Sequence, residues 1–367
     1  MLRSIVVGIA LVAGCVPPTP AEPPAGSGSE TSSGVARRLR LAVVQLASEN
    51  GAREANLAAA TPWIERASAD GAQLVVLPEF MPTGYSLDFD AWDAAEPRGG
   101  PTERWLTAQA SRLGMHVGTS YLEADGDDFY NTFALAEPGG RIAGRVRKSA
   151  PAGLEGRLFR GDPGPRVIET SLGRIGVGIC QESYRCMLAP SVHEAGAEVL
   201  LLPHSYPDLS ESGGLEAPPG RFVAQFYARE LGIPVAMVNK VGQWRTRIPE
   251  VETTITGEFP GESAIADTDG EVVAELDGRA GFAVAEVWLD PERRRVPSVS
   301  CTGPFVDALT LGGPLRRFFT RMQIRAVQIF GLDTLESRSI RIYDQHPERA
   351  ARARAAAGST SPRRDSR

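Results

Sequence analysis

Between Leu39 and Trp288 the chain alternates short apolar runs with longer amphipathic ones, and this alternation restricts the fold more than any other feature. Leu41-Ala42-Val43-Val44-Gln45-Leu46 reads as a strand, Arg53 to Ala69 as a helix, and Leu74-Val75-Val76-Leu77 as a buried strand. Pro62 lies inside the helical stretch, so the helix is predicted to start or kink there. Further strands are predicted at 115–122, 131–136, 141–147, 174–179, 198–202 and 234–239, and helices near 101–113, 187–195 and 219–231. Late strands near 263–267, 271–276 and 281–288 include a hairpin turn at Asp269-Gly270. Strands alternating with helices imply an α/β fold whose helices cover its sheets. The 367 residues would fill two average domains, but nothing between 38 and 290 has linker composition, so this stretch is read as one domain.

Composition removes several classes of function. The formal charge of −6 gives no electrostatic footprint for nucleic acid. Four cysteines (Cys15, Cys180, Cys186 and Cys301) are too few for a disulfide scaffold at this length. Four scattered histidines show no ligand spacing. No metal and no cofactor is therefore expected, and any chemistry must come from side chains.

The two ends differ from the body. Residues 1–15 place Arg3 before an apolar run from Ile5 to Ala13 that is too short to span a bilayer and is laid out like an export signal. Its end, Leu11-Val12-Ala13-Gly14-Cys15, resembles a bacterial lipobox, which implies lipidation of Cys15; an ordinary signal peptide is the alternative. Residues 16–37, rich in Pro, Gly, Ser and Thr, read as a disordered linker. The expected location is exported and membrane-tethered, on the periplasmic or cell-surface side. In an oxidising compartment Cys186 and Cys301 are free to pair, though sequence does not show whether they approach. Residues 291–345 read as a C-terminal extension whose segment 315–330 has apolar residues at helical spacing with interleaved arginines. A membrane surface, the core and a second subunit all suit such a helix. Residues 346–367, Arg/Ala-rich and then polar, are expected to be a disordered tail.

Three strand ends carry reactive groups. Glu79 follows Leu74–Leu77 directly, at a strand tip of the kind where α/β proteins place chemistry, although loop glutamates are commonly just solvated. Lys148 follows the alternating strand Arg141–Val146; such a lysine is usually a surface charge. Cys180 closes Gly173-Arg174-Ile175-Gly176-Val177-Gly178-Ile179, where a lone cysteine is most often inert. Together they suggest more. A thiol needs a base, which Glu79 supplies, and a tetrahedral intermediate needs donors facing its oxyanion, which Lys148 and a backbone N–H after Cys180 supply. A lysine beside the thiol is also expected to lower its pKa.

The order Glu, Lys, Cys, each in its own motif, resembles the nitrilase or carbon–nitrogen hydrolase superfamily. The motifs are Leu77-Pro78-Glu79-Phe80-Met81-Pro82-Thr83-Gly84-Tyr85, the run from Arg147-Lys148 to Gly161-Asp162, and Gly173 to Ser183 around Cys180. Ala228-Arg229-Glu230 through Asn239 and Gly242, and Phe259-Pro260-Gly261-Glu262-Ser263 with Asp267 to Gly270, are similar to later family segments. The resemblance implies a four-layer αββα sandwich, a homodimer or higher homo-oligomer gripped by the C-terminal extension, and the triad Glu79, Lys148 and Cys180. It also implies that Glu155 orients the others. Tyr85, Gln181, Tyr184 and His204 are expected to border the substrate.

The implied substrate is a small molecule, an amide or a nitrile. Glu79 through Tyr85 resembles amidases and carbamoylases, whereas Lys148, Pro151, Glu155 and Cys180-Gln181-Glu182 fit nitrilase spacing. Gln181 stands where nitrilases typically carry tryptophan, which favours an amidase acting on a small amide or carbamoyl compound. A nitrilase, an N-acyltransferase and an inactive surface-tethered scaffold are the alternatives.

Overall fold

The computed structural model describes residues 35–209, 219–302, 305–310 and 343–358. The signal and lipobox with Cys15, nearly all of the linker and the amphipathic segment 315–330 lie outside the described residues. Arg37, expected as the last linker residue, already belongs to the first strand.

The first sheet is built from β1 (Arg37–Gln45), β2 (Leu74–Val76), β3 (His116–Asp125), β4 (Asp128–Glu137), β5 (Arg141–Arg147) and the late strand β14 (Gly281–Leu289), in the order β14-β1-β2-β3-β4-β5. The second holds β6 (Val167–Thr170), β7 (Gly173–Val177), β8 (Val199–Pro203), β9 (Val235–Val238), β12 (Ala264–Ala266) and β13 (Val272–Glu275), in the order β13-β12-β9-β8-β7-β6. Each sheet has a parallel centre, β1-β2-β3 and β7-β8-β9, flanked by antiparallel strands. The helices α1 (Arg53–Ala69), α2 (Pro101–Leu113), α3 (Leu188–Glu194) and α4 (Gly220–Leu231) provide the crossovers.

Strand alternation makes the four layers. In β1, Leu39, Leu41 and Val43 point toward the second sheet, where they meet Ile175, Val177, Val199, Leu201 and Val238. The intervening Ala42 and Val44 pack under Leu57, Ala60 and Ile64 of α1 and Leu106 of α2. Across the inter-sheet core, Leu200 and Leu202 turn outward onto α3 and α4, against Val192, Val223 and Tyr227. The parallel strands are apolar on both faces because both faces are covered. The αββα sandwich is thus the observed fold.

Three local readings change. α1 runs continuously through Pro62, whose ring is exposed; Ala58, which loses its i+4 partner there, is also exposed, so water can take the freed carbonyl. A hairpin of β10 (Val241–Ile248) and β11 (Thr253–Pro260) was not among the predicted strands, although Trp244, Thr246 and Ile248 are buried at a spacing of two. The expected tail 346–367 contains a helix at Arg349–Ala357. After β15 (Cys301–Thr302), β16 (Phe305–Val306) and the turn α5 (Asp307–Thr310), this helix is α6. Its arginines look like solvated charges in sequence but find carboxylates on the same chain: Arg349 pairs with Asp128 and Asp344, and Arg354 with Asp127. Beside it Tyr343 is buried, and its hydroxyl accepts from the Phe129 amide at 2.9 Å. Cys186 and Cys301 form a disulfide with a Cα–Cα distance of 6.1 Å, tying the segment after β14 to the end of the turn that begins at Cys180.

Candidate active site

The parallel strands of both sheets end on the same side, and their tips converge. Just past β2, Pro78 and Glu79 are held by both sheets: Thr119 of β3 donates to the Pro78 carbonyl (2.8 Å), and Ser205, after β8, donates its hydroxyl to the Glu79 carbonyl (2.6 Å). The carboxylate of Glu79 is fully buried. Its Oε1 accepts from Lys148 Nζ (2.8 Å) and Asn131 Nδ2 (2.7 Å), and its Oε2 accepts from the Ser205 amide (3.0 Å).

Lys148 leaves β5 with its amide bonded to the Asn131 carbonyl (2.8 Å), which fixes the start of its side chain. Besides Glu79, its Nζ donates to Glu155 Oε2 (2.8 Å) and Oε1 (3.1 Å). Glu155 also accepts from the Ala152 amide (2.6 Å) and the Tyr85 hydroxyl (3.0 Å). Tyr85, expected beside substrate, therefore spends its only proton on Glu155.

Cys180 opens a short 3-10 turn, Cys180–Tyr184, directly beyond β7. Its φ of +52° is left-handed, as is that of Phe80 at +47°. Such conformations cost on the order of 1–3 kcal/mol in non-glycine residues and persist only where the surroundings enforce them. Glu182 supplies much of that enforcement. Its Oε2 accepts from the Ile179 amide (2.8 Å), while its Oε1 accepts from the Ser149 amide (2.7 Å) and from Arg166 (2.8 Å). One carboxylate thus joins the cysteine turn to the lysine loop. Gly178 lets the turn sit close to α3, since a Cβ there would come within 2.4 Å of Leu188.

The electrostatics follow from enclosure. Burial alone would depress Lys148, but the carboxylates of Glu155 and Glu79 outweigh it and hold the ammonium well above its ordinary value. Burial raises Glu155, against the pull of Lys148. The thiol of Cys180 is pushed well up, first by burial and then by Glu79, with Lys148 acting the other way. The expectation that the lysine would leave a low-pKa thiol is therefore corrected: its effect has the expected sign, but desolvation and the base's own charge exceed it. His204 is lowered to about 3 by burial and by Lys148, so its imidazole is neutral. Its Nε2 lies 3.2 Å from the Ser183 hydroxyl, and its carbonyl accepts from the Glu79 amide.

Near the nucleophile several polar groups are buried without a protein partner. Gln181, next to Cys180, has neither its Oε1 nor its Nε2 bonded, and the Tyr206 hydroxyl is likewise unbonded. The enclosed ring of Tyr184 meets His204 edge-on and Tyr206 at a tilt. A cavity of about 90 Å³ is lined by Phe80 and Tyr85 of the Glu79 loop, with Asp90, Leu158 and Phe159. Sequence reasoning missed Asn131, the contacts of Ser205 with Glu79 and the tethering by Glu182. Asn131 had a visible signal, a carboxamide inside the apolar run Phe129 to Ala136; the Ser205–Glu79 contact had none. Among the described residues no cluster of His, Cys, Asp or Glu is arranged to hold a metal ion, and no helix is long and apolar enough to cross a membrane.

Fold and site together define a class: cysteine enzymes on an αββα frame, with a buried carboxylate–ammonium–carboxylate network beside the thiol. The sequence profile of the carbon–nitrogen hydrolase family matches residues 40–294, and the chain belongs to that family. It is a hydrolase of non-peptide carbon–nitrogen bonds. It is 30% identical over 246 residues to an N-carbamoylputrescine amidase of Arabidopsis thaliana, covering 64% of this chain and 82% of that protein. It is 29% identical to a nitrilase of Pyrococcus abyssi, covering 70% of this chain and 93% of the relative. Among solved structures, a carbon–nitrogen hydrolase from Helicobacter pylori G27 superposes with a TM-score of 0.61 at 23% identity, over 70% of this chain and 91% of that one.

Proposed function

We propose that the protein is an amidase of small amides or carbamoyl compounds, working through an acyl-enzyme on Cys180. The observation that carries this is the enclosed network in which Lys148 bridges Glu79 and Glu155 beside the strained cysteine turn. With its pKa raised, the resting thiol holds its proton, and attack requires a base. Glu79 takes that proton as sulfur adds to the carbonyl carbon. Lys148 and the Gln181 backbone N–H face the developing oxyanion. The carbon–nitrogen bond then breaks as Glu79 returns the proton to the leaving amine. Water, deprotonated by Glu79, adds to the thioester and releases the acid and the thiol. Glu155 holds Lys148 in place.

The free carboxamide of Gln181 and the Tyr206 hydroxyl favour an amide or carbamoyl group over a nitrile. They offer donors and acceptors to a group that has both, whereas a nitrile has only an acceptor. The Arabidopsis relative supports the carbamoyl branch, and the Pyrococcus nitrilase is the second reading. Incubation with matched carboxamides, N-carbamoyl amines and nitriles, followed by intact-protein mass spectrometry, tests this. Adducts on Cys180 that decay to acid with amides but not nitriles are expected. Adducts from nitriles alone would reverse the reading, decay only with added amine would make the enzyme a transferase, and no adduct at all would leave a scaffold.

Residues 1–15 are proposed to direct export, with Cys15 carrying lipid. The Cys186–Cys301 disulfide supports an oxidising compartment. Loss of the protein from the membrane fraction in a Cys15→Ala variant is expected; unchanged fractionation argues against the tether. A homodimer gripped by the segment beyond residue 310 is proposed as well, and its truncation should lower the sedimentation coefficient.

A further inference from the structure

One buried ionisable group near the nucleophile has no part in the mechanism above. Lys240 lies between β9 and β10, at the strand tips of the second sheet, and its side chain is fully enclosed. Its Nζ donates to the carbonyl of Phe80 at 3.0 Å, a link spanning 160 residues of chain, and the ammonium lies 5.6 Å from the centre of the Phe259 ring. Its own carbonyl accepts from the Gly261 amide at 2.8 Å.

Phe80 is the residue next to Glu79 and carries the left-handed φ of +47°. Its amide donates to the Ser120 hydroxyl at 2.9 Å. The strained peptide is therefore pinned on one side by the first sheet and on the other by Lys240 from the second. Strain of this kind relaxes when a pin is removed, and relaxation at residue 80 turns the neighbouring Glu79.

Charge gives a second, separate argument. Glu155 accepts from Lys148, from the Ala152 amide and from Tyr85, whose single proton is thereby used, so an ionised carboxylate satisfies this set. Glu79 likewise accepts from Lys148, Asn131 and Ser205. Two ionised carboxylates around one ammonium leave an uncompensated negative charge in a dry site, which is costly. The carboxylate of Glu79 favours an ammonium at Lys240, and Cys180 adds to this only when it is a thiolate.

We propose that Lys240 is a positioning residue and the second cation of the site: it clamps the Phe80 carbonyl, keeps Glu79 at its base position and compensates the second carboxylate. This rests on the cysteine-hydrolase reading above. The group would act through Glu79 and does not touch substrate. Burial draws Lys240 down to about 7, with Glu79 opposing, so the ammonium is present below that pH and lost above it. Lys148 and Glu155 face Glu79 from the other side, and the Phe259 and Phe80 groups beside Lys240 are neutral.

The test is the pH dependence of kcat for a turned-over carboxamide in the wild-type enzyme and in the Lys240→Met and Lys240→Arg variants. Lys240→Met is expected to lower kcat at least tenfold with KM changed less than threefold. Lys240→Arg, whose cation does not titrate in this range, is expected to recover part of the loss and to lose the wild-type alkaline decline near pH 7. An unchanged kcat in Lys240→Met overturns the proposal. So does a lowered kcat with the wild-type pH profile retained in both variants, since a purely structural side chain would give that result. If Lys240→Met does not fold, the Lys240→Arg profile decides by itself. Wild-type enzyme that turns over no amide and forms no Cys180 adduct overturns the hydrolase reading as well; normal turnover with an indifferent Lys240 overturns only this inference.

Discussion

Two groups of opposite charges occupy the two extremes of burial in this molecule. At the strand tips, Lys148, Glu79 and Glu155 are wholly enclosed, and every carboxylate oxygen has a donor. Along α6, Arg349 pairs with Asp128 and Asp344 while staying largely buried, and Arg354 meets Asp127 at 2.6 Å in a pair more than half exposed on both sides. The Arg354–Asp127 contact is no longer than the 2.8 Å contacts of Lys148, so distance does not explain what each does. Water does: it screens the Arg354–Asp127 pair to a few tenths of a kcal/mol, whereas in the site the charges are much less screened and shift Lys148, Glu155 and Cys180. The enclosed network sets chemistry, and the exposed pairs help to dock a helix.

The largest expected effect isolates the chemistry from the fold. Cys180→Ala should remove amide turnover by at least about 10⁴-fold while the protein remains folded, because Cys180 is the free thiol among the described residues. Comparison of turnover and of the thermal transition in the same preparation checks this; residual turnover near the wild-type rate would falsify the assignment. Lys148→Met tests the burial argument directly. Removing the ammonium that bridges Glu79 and Glu155 leaves the two carboxylates without their shared partner, and breaking a buried pair in this way costs about 3–5 kcal/mol. Urea denaturation should show a loss of that order together with loss of activity. A loss below about 1 kcal/mol would mean that the site is wetter than its enclosure suggests, and the contrast with α6 would fail.

His204 sharpens the same contrast through pH. Its folded value of about 3 lies below its ordinary 6.5. A depressed histidine means that the unfolded chain binds the proton more readily, so its contribution to stability is present above pH 6.5 and is lost as pH falls toward about 3. Between pH 7 and pH 5 that amounts to about 2 kcal/mol. A His204→Gln variant should lose correspondingly less stability over this interval than the wild type. Equal acid sensitivity in the two proteins would show that the imidazole is solvated.

Much of this was legible in sequence where local signals sufficed. The alternating apolar runs foretold both sheets apart from β6, and Glu79, Lys148 and Cys180 stood at the ends of β2, β5 and β7, strands that are not neighbours but whose ends meet. What stayed hidden depends on contacts far apart in the chain. Ser205 meets Glu79 across 126 residues, and Lys240 meets Phe80 across 160, with no local pattern marking either. The thiol's raised pKa was misjudged for a related reason. The neighbouring lysine is visible in sequence, but the depth of burial that overrides it is not. α6 was misread because an arginine-rich stretch looks solvated until its carboxylates, Asp127 and Asp128, are brought over by the β3–β4 turn.

The smallest expected effect lies at the exposed end of the comparison. Arg354 and Asp127 are bonded at 2.6 Å, a length that would signal a strong contact in an enclosed site. Here both side chains stay largely in water, so the Coulomb gain is small and is offset by the entropy of holding two flexible side chains. Arg354→Ala should therefore change stability by less than about 0.5 kcal/mol and leave kcat untouched. Alanine is also the better helix former, which moves the balance further toward zero. The helix has other anchors: Ala353 is buried, and Arg352 donates to the Phe89 carbonyl at 2.9 Å. A measured loss above about 1.5 kcal/mol would place this pair in the same regime as Lys148 and its carboxylates, and exposure would no longer separate the two clusters.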